Sequence, residues 1–311
     1  MSHVPSATTD ATPAAPGRYG LWVGPTTDLE LRIAHDGVAG LVPLVDATSP
    51  EAAIGLFAGR PDRGPTPWVA MLAADRPGRF GTSDAVLLAR RWPLMPIVSV
   101  AASLLDGRRR TGPPLPGIEE VPWHDVAGRC GWWLLAGDDG LPTSLGLPTA
   151  ARREERLLAT IGGITRHVGR ATAAAVLDVA VAAVRPDDLE PLCDMLSSVG
   201  HRVATRHVGR PRPGDPAPFV LWDVADLGPD EIEWLRLLVA NRPGLFVVLL
   251  QSFPRGDTTQ AAMRAGAAAV LGKPVSLEAV AGTLLVPVRR PATGGESGLG
   301  REGGGRYHPA P

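Results

Sequence analysis

VAVAAVRPDDLEPLCDMLSSVGHRVA, residues 179–204, decides the fold of the C-terminal half of this chain. Residues 179–184 are a continuous apolar run of strand length without polar alternation, as expected of a strand buried on both faces. The run is broken by Arg185-Pro186-Asp187-Asp188. A proline at the first helical position and acids in the first turn suit the free amides and positive dipole end of a helix start. The helical stretch extends to Val199, Gly200 stops it, and residues 201–204 open a second strand.

The same alternation continues on both sides. C-terminally, a Pro/Gly-rich loop (210–218) precedes a strand (219–224), a helix (229–241) and a strand (245–251). A helix over 258–265 ended by Gly266, a strand over 267–271 and a helix over 276–285 capped by Ser276 complete that half. N-terminally, apolar runs at 20–23, 40–45, 67–74, 96–100 and 118–126 read as strands, with a helix after Thr26 and Thr27. Residues 151–170 have the two-sided pattern of a connecting helix, weakened by a glycine pair. Strict β-α alternation implies parallel sheets covered by helices on both faces, with right-handed crossovers. Chemistry in such sheets sits at the carboxyl ends of the strands.

Length and composition narrow the function. A chain of 311 residues, 44% apolar, is long enough for two domains. The expected boundaries are a flexible lead-in (1–17), a first domain (18–145), a linker (146–172), a second domain (173–288) and a Gly/Arg-rich tail (289–311). A formal charge of -1 gives no overall field toward nucleic acid or an acidic bilayer, so neither is expected as a partner. Cys130 and Cys193 are the only cysteines, too few for a disulfide framework or a cysteine-rich zinc site. The lead-in lacks the basic and apolar regions of a targeting peptide. No apolar stretch reaches the roughly twenty residues of a spanning helix. A cytoplasmic protein is the expectation.

Residues 261–274, AAMRAGAAAVLGKP, resemble the end of a response-regulator receiver (CheY-like) domain. There a small-residue helix end, a Gly-Ala pair, the fifth strand and Lys-Pro occur in that order. The resemblance extends to Pro186-Asp187, to Gly200-His201-Arg202-Val203 and to Asp223 after the third apolar run. It implies a fold class of α/β type, two flavodoxin-like or receiver-like doubly wound parallel five-stranded sheets in tandem. Receivers hold magnesium with an acidic pair ending the first strand and an Asp ending the third, which accepts phosphate. A hydroxyl residue ends strand four, a Lys ends strand five, and an aromatic residue on strand five reports the switch. Counted without gaps, Asp223 is the phosphoacceptor candidate and Lys273 the phosphate-pairing candidate. The acidic pair falls on Ala183 and Val184, the hydroxyl on Gln251 beside Ser252, and the aromatic on Val270. Lys273 is the only lysine in the chain, where a compact ammonium is placed among arginines.

Loss of two carboxylates leaves Asp223 able to recruit Mg²⁺ only weakly, because phosphoryl transfer depends on a metal that neutralises the phosphoryl oxygens. One missing charge contact at 4 Å, worth about 4 kcal/mol at an effective dielectric of 20, slows transfer roughly a thousandfold. Asp187 and Asp188 read as helix-start acids rather than replacements. The first half keeps less of the pattern. Ala73 falls at its phosphoacceptor position with Asp75 displaced by two, Val23 and Gly24 replace the acids, and Trp123-His124 replaces Lys-Pro.

The resemblance therefore implies a degenerate receiver pair, a non-catalytic signalling or scaffold protein without cofactor or metal. Its domains are expected to bind partners through the helical faces that receivers use, a histidine kinase or a second copy among them. A working phosphoacceptor at Asp223 is the alternative, and an enzyme on the same fold is a third reading that no phosphate loop or nucleophile elbow supports.

The remaining features read as structural. Arg108, Arg109 and Arg110, within a Pro/Gly-rich insertion over 103–117, form a solvated loop before they form an anion site. His124 and Asp125, as neighbours on a strand, are expected to point apart. Six tryptophans of the first half are core candidates, with Trp132-Trp133 the pair expected to expose one member. His167, His201 and His207 lack partners at ligand spacing. TRHVGR occurs at 165–170 and 205–210, once in a connector and once at a strand end, so it is not a structural repeat.

Overall fold

A computed structural model describes residues 18–58, 66–105, 115–148, 150–171 and 176–289. The first sheet has strands β1 (Gly20–Val23), β2 (Leu44–Ala47), β3 (Ala70–Ala74), β4 (Ile97–Ala101) and β5 (Glu119–Pro122). Its helices are α1 (Leu29–Ala39), α2 (Pro50–Gly55), α3 (Thr82–Arg91) and α4 (Val126–Asp138). Helix α5 (Arg153–Arg170) connects it to the second sheet, β6 (Asp178–Ala183), β7 (Arg202–Val208), β8 (Phe219–Val224), β9 (Phe246–Ser252) and β10 (Ala267–Lys273). The helices there are α6 (Pro186–Ser198), α7 (Pro229–Asn241), α8 (Gly256–Arg264) and α9 (Leu277–Arg289). The strand orders are β2-β1-β3-β4-β5 and β10-β9-β8-β6-β7, every pair parallel. Numbered within each half, both read 2-1-3-4-5, the flavodoxin-like order that receivers share.

Local chemistry explains the element ends. The Asp28 carboxylate accepts from the backbone nitrogens of Glu30 and Leu31 and caps α1. Ser49 caps α2 ahead of Pro50, and prolines also occupy the first turns of α6 and α7. Gly200, at φ +88°, ends α6, and a side chain there would also strike Val168 of α5, so the position excludes one twice over.

Three strands differ from their sequence reading by four residues at one end, and one of them, β5, stops at Pro122 rather than 126, where α4 already begins. β2 begins at Leu44, since Leu41 and Val42 donate to the Val38 carbonyl and close the end of α1 instead. β7 extends to Val208. As an edge strand it alternates exposed and half-buried residues, with no continuous apolar run to reveal it. It absorbs the second TRHV, while the first lies in α5.

One apolar core runs through the first half and onto one face of the second sheet, including Leu221, Val248, Leu250 and Leu271, and on to Ala279 and Leu284 of α9. A separate cluster fills the other face, under α7 and α8. The halves meet along α4 and α9, which cross at Gly128 and Gly282 with backbone against backbone. A β-carbon on Gly282 would overlap the Gly128 carbonyl oxygen. This crossing corrects the reading of Trp132-Trp133. Both are buried, 0% and 1% exposed, because α4 packs against α1 within its own half and against α9, with α5 over Trp132. Among the described residues no helix is long and apolar enough to cross a membrane.

Candidate functional site at the two carboxyl edges

Two contacts set the strand ends of one sheet beside those of the other. His124, just past β5, lies against Gly272 near the end of β10, and Glu30 at the start of α1 touches Gly256 at the start of α8. The carboxyl edges, where ligands bind in this fold, therefore adjoin.

At the second edge, Asp223 stands opposite Ala183 in register, and Lys273 stands opposite Ser252. Lys273 Nζ donates to Asp223 Oδ1 at 2.6 Å. The Asp223 side chain is 5% exposed and that of Lys273 30%. The two candidate residues, fifty positions apart, thus form one charge-assisted pair. Ala183 is fully buried and Val184 half-exposed, so β6 adds no carboxylate. Asp187 points to solvent beside Arg185 at 3.6 Å, at the start of α6, and does not replace one. Gln251 is buried, and its Oε1 has no hydrogen-bond partner. Phe253, next in line after Ser252, has φ +62° and is 76% exposed.

Magnesium does not fit this donor set. Oδ1 of the single carboxylate is taken by an ammonium, and no group of three metal-ligating side chains occurs among the described residues.

The first edge is built differently. Gly24, at φ +132°, lies against the backbone of Ala73, so no side chain fits at the position where an acid would stand. Asp75 turns to Arg76 at 3.3 Å and Arg79 at 3.7 Å. Glu30 accepts from Ser103 N and Ser103 Oγ, both at 2.7 Å, and Trp123 Nε1 donates to the same hydroxyl at 3.3 Å. His124 and Asp125 do meet, with Nδ1 and Oδ1 2.9 Å apart, because β5 ends at Pro122 and strand alternation no longer separates them. The Gly272 amide lies 3.1 Å from that same Nδ1, which serves either Asp125 as a donor or Gly272 as an acceptor.

The histidines have partners that sequence spacing does not show. His207 Nε2 lies 2.6 Å from Asp215 across the loop after β7, and His167 Nδ1 lies 3.7 Å from Asp139. Burial alone would raise the Asp215 carboxyl, but hydrogen bonds from His207, Thr205 and the Ala217 amide outweigh it and hold it below its usual range. His201 is pushed down to about 4 by burial and by nearby His167. Arg108, Arg109 and Arg110 lie outside the described residues, as do 1–17 and 290–311.

No family model and no curated protein matches this sequence. Solved structures do. A putative pilus assembly-related protein from Burkholderia pseudomallei is 21% identical, with 39% of this chain and 96% of that one covered and a TM-score of 0.35. A putative pilus assembly protein (cpaE) from Burkholderia thailandensis is 28% identical, over 35% of this chain and 95% of that one, with a TM-score of 0.33. The signal receiver domain of a DNA-binding response regulator from Colwellia psychrerythraea is 13% identical, over 35% of this chain and 94% of that one, at 0.30. What this chain has in common with receivers is the fold, repeated twice.

Proposed function

We propose that this protein is a non-catalytic signalling or scaffold module, two degenerate receiver-like folds fused in tandem, which acts by binding signalling proteins. The observation that carries this reading is the pair of Lys273 with a nearly buried Asp223 at 2.6 Å, without a companion carboxylate. A phosphoacceptor needs a metal to neutralise the incoming phosphoryl oxygens, and here Asp223 faces Ala183 in register, without the companion acids that would help hold one. At the first edge the acceptor position is Ala73, so that half has no acid to phosphorylate there.

Partner surfaces follow from the crossing of α4 and α9. The last helix of each half faces the other, which changes the expectation that such helical faces receive partners. The partner, a histidine kinase or a second copy included, would meet the remaining surfaces, among them the carboxyl edge with its exposed Phe253.

The test is incubation of the full chain with a small-molecule phosphodonor and Mg²⁺, followed by intact-mass measurement, with Asp223→Asn as control. An unchanged mass is the expected result. An adduct that the Asp223→Asn variant lacks would establish the working-receiver alternative instead.

A further inference from the structure

Glu278, in the first turn of α9, is 2% exposed and directs its carboxylate out of its own half. Its Oε2 accepts from Arg129 Nε at 3.0 Å, Arg129 Nη2 at 2.7 Å, Trp133 Nε1 at 3.1 Å and Ser144 Oγ at 3.1 Å. Oε1 accepts from Thr160 Oγ1 at 2.8 Å and Ser144 N at 3.3 Å. All these donors lie N-terminal to residue 171, on α4, on the 3₁₀ turn Ser144–Gly146 and on α5. A carboxylate offers about four lone-pair sites. The donor supply exceeds what one neutral acceptor could satisfy, and donors left unmet in a buried site are costly.

Charge points the same way. Arg129 also donates to Glu119, and Arg156 reaches Glu119 at 3.5 Å and the Ser144 carbonyl at 3.2 Å. Without Glu278, two guanidinium groups would face one carboxylate in a buried place. Burial works against the Arg129 cation, but the carboxylates of Glu278 and Glu119 outweigh it and hold the group firmly charged. Arg129 also stacks on Trp133 at 4.9 Å, which fixes the guanidinium plane.

We propose that these groups form a carboxylate-binding socket of the first half, occupied in the intact chain by Glu278, and that its occupancy holds the two halves in register. The glycine crossing of α4 and α9 allows close approach, but apolar contact has no direction. The socket supplies direction, fixing the slide and rotation of α9 by six hydrogen bonds. This goes beyond the scaffold reading and does not depend on it.

Glu278→Ala in the full chain removes the atoms of acetate, which makes acetate the matched probe. Hydrogen-exchange protection of the α4 and α9 amides is expected to fall at least about 100-fold, as for any buried pair that loses one partner. Acetate at constant ionic strength should restore it saturably, acetamide should not, and the further change Arg129→Met should abolish the response. Wild-type protection in Glu278→Ala, or equal rescue by acetamide, overturns the proposal. If Glu278→Ala folds only in acetate, that rescue supports it. If it folds in neither, Glu278→Gln decides, since loss of α9 protection there supports the socket and full retention overturns it.

Discussion

The two carboxyl edges share a topology and differ in what stands on it. The second presents a carboxylate and an ammonium as a single partly buried pair. The first presents a backbone seal, Gly24 on Ala73, and a hydrogen-bonded clamp of Glu30 on Ser103. The second edge engages its carboxylate in an ion pair, while the first holds Glu30 by hydrogen bonds. The strand order positions an edge, and side chains determine what it does. On the reading proposed above, the second edge keeps one paired carboxylate without companion acids, and the first is sterically closed.

The largest expected effect tests the closure. Gly24→Ala places a methyl group against the Ala73 carbonyl at a backbone angle that L side chains rarely adopt. A loss of about 4 kcal/mol of stability in urea titration is expected, from overlap and backbone strain together. A loss below about 1 kcal/mol would show that the first edge has room for a side chain, and the comparison would fail.

A second contrast lies at the opposite ends of the strands. After the glycine that ends α1 stands Leu41; after the glycine that ends α6 stands buried His201. His201 has its folded value lowered to about 4 from an ordinary value of 6.5, so it folds neutral and the unfolded chain takes its proton first. Stability from this group is fully present above about pH 6.5 and is lost as pH falls toward 4, about 3 kcal/mol in all. Asp215, also lowered, adds a loss of the same sign at still lower pH. His201→Asn, which keeps an acceptor for the Leu177 amide, should flatten the upper part of this profile in denaturant titrations across pH 4 to 7. An unchanged slope would show that His201 is not the group responsible.

Lys273→Met tests the neutralised edge. It leaves Asp223 buried without its cation, at an expected cost of about 2 kcal/mol, less than for a fully buried pair because Lys273 is partly exposed. Thermal denaturation with Lys273→Arg alongside separates charge from shape, since a fork fits that spot less well than an ammonium. If Lys273→Met costs nothing, the pair is not what closes the site.

Much of the fold was legible in residues that act locally. Pro186, Pro229 and Gly200 mark helix ends through their own backbone chemistry, and the run from Val179 to Ala183 is apolar because both faces of β6 are covered. Asp223 and Lys273 were legible only through the receiver resemblance, fifty residues apart. The socket was not legible. Glu278 near a helix start reads as a dipole-favoured acid, and nothing local ties it to Arg129, 149 positions away. Trp132-Trp133 misled for the same reason, since helix periodicity shows one partner surface and α4 has two.

The smallest effect is expected at Asp75, the first-half acid nearest the acceptor position. Its partners are Arg76, whose side chain is 63% exposed, and Arg79, at 3.7 Å. Solvent screens the contact to Arg76, and the one to Arg79, between side chains about a quarter exposed, is long, so the two together are worth about 0 to 1 kcal/mol. Asp75→Asn should therefore change stability by no more than about 0.5 kcal/mol, and still less when salt is added. It should also leave the intact-mass result with phosphodonor unchanged. If Asp75→Asn instead costs as much as Lys273→Met, or removes an adduct present in the parent chain, then the first edge holds a working acid, and the two halves differ in degree rather than in kind.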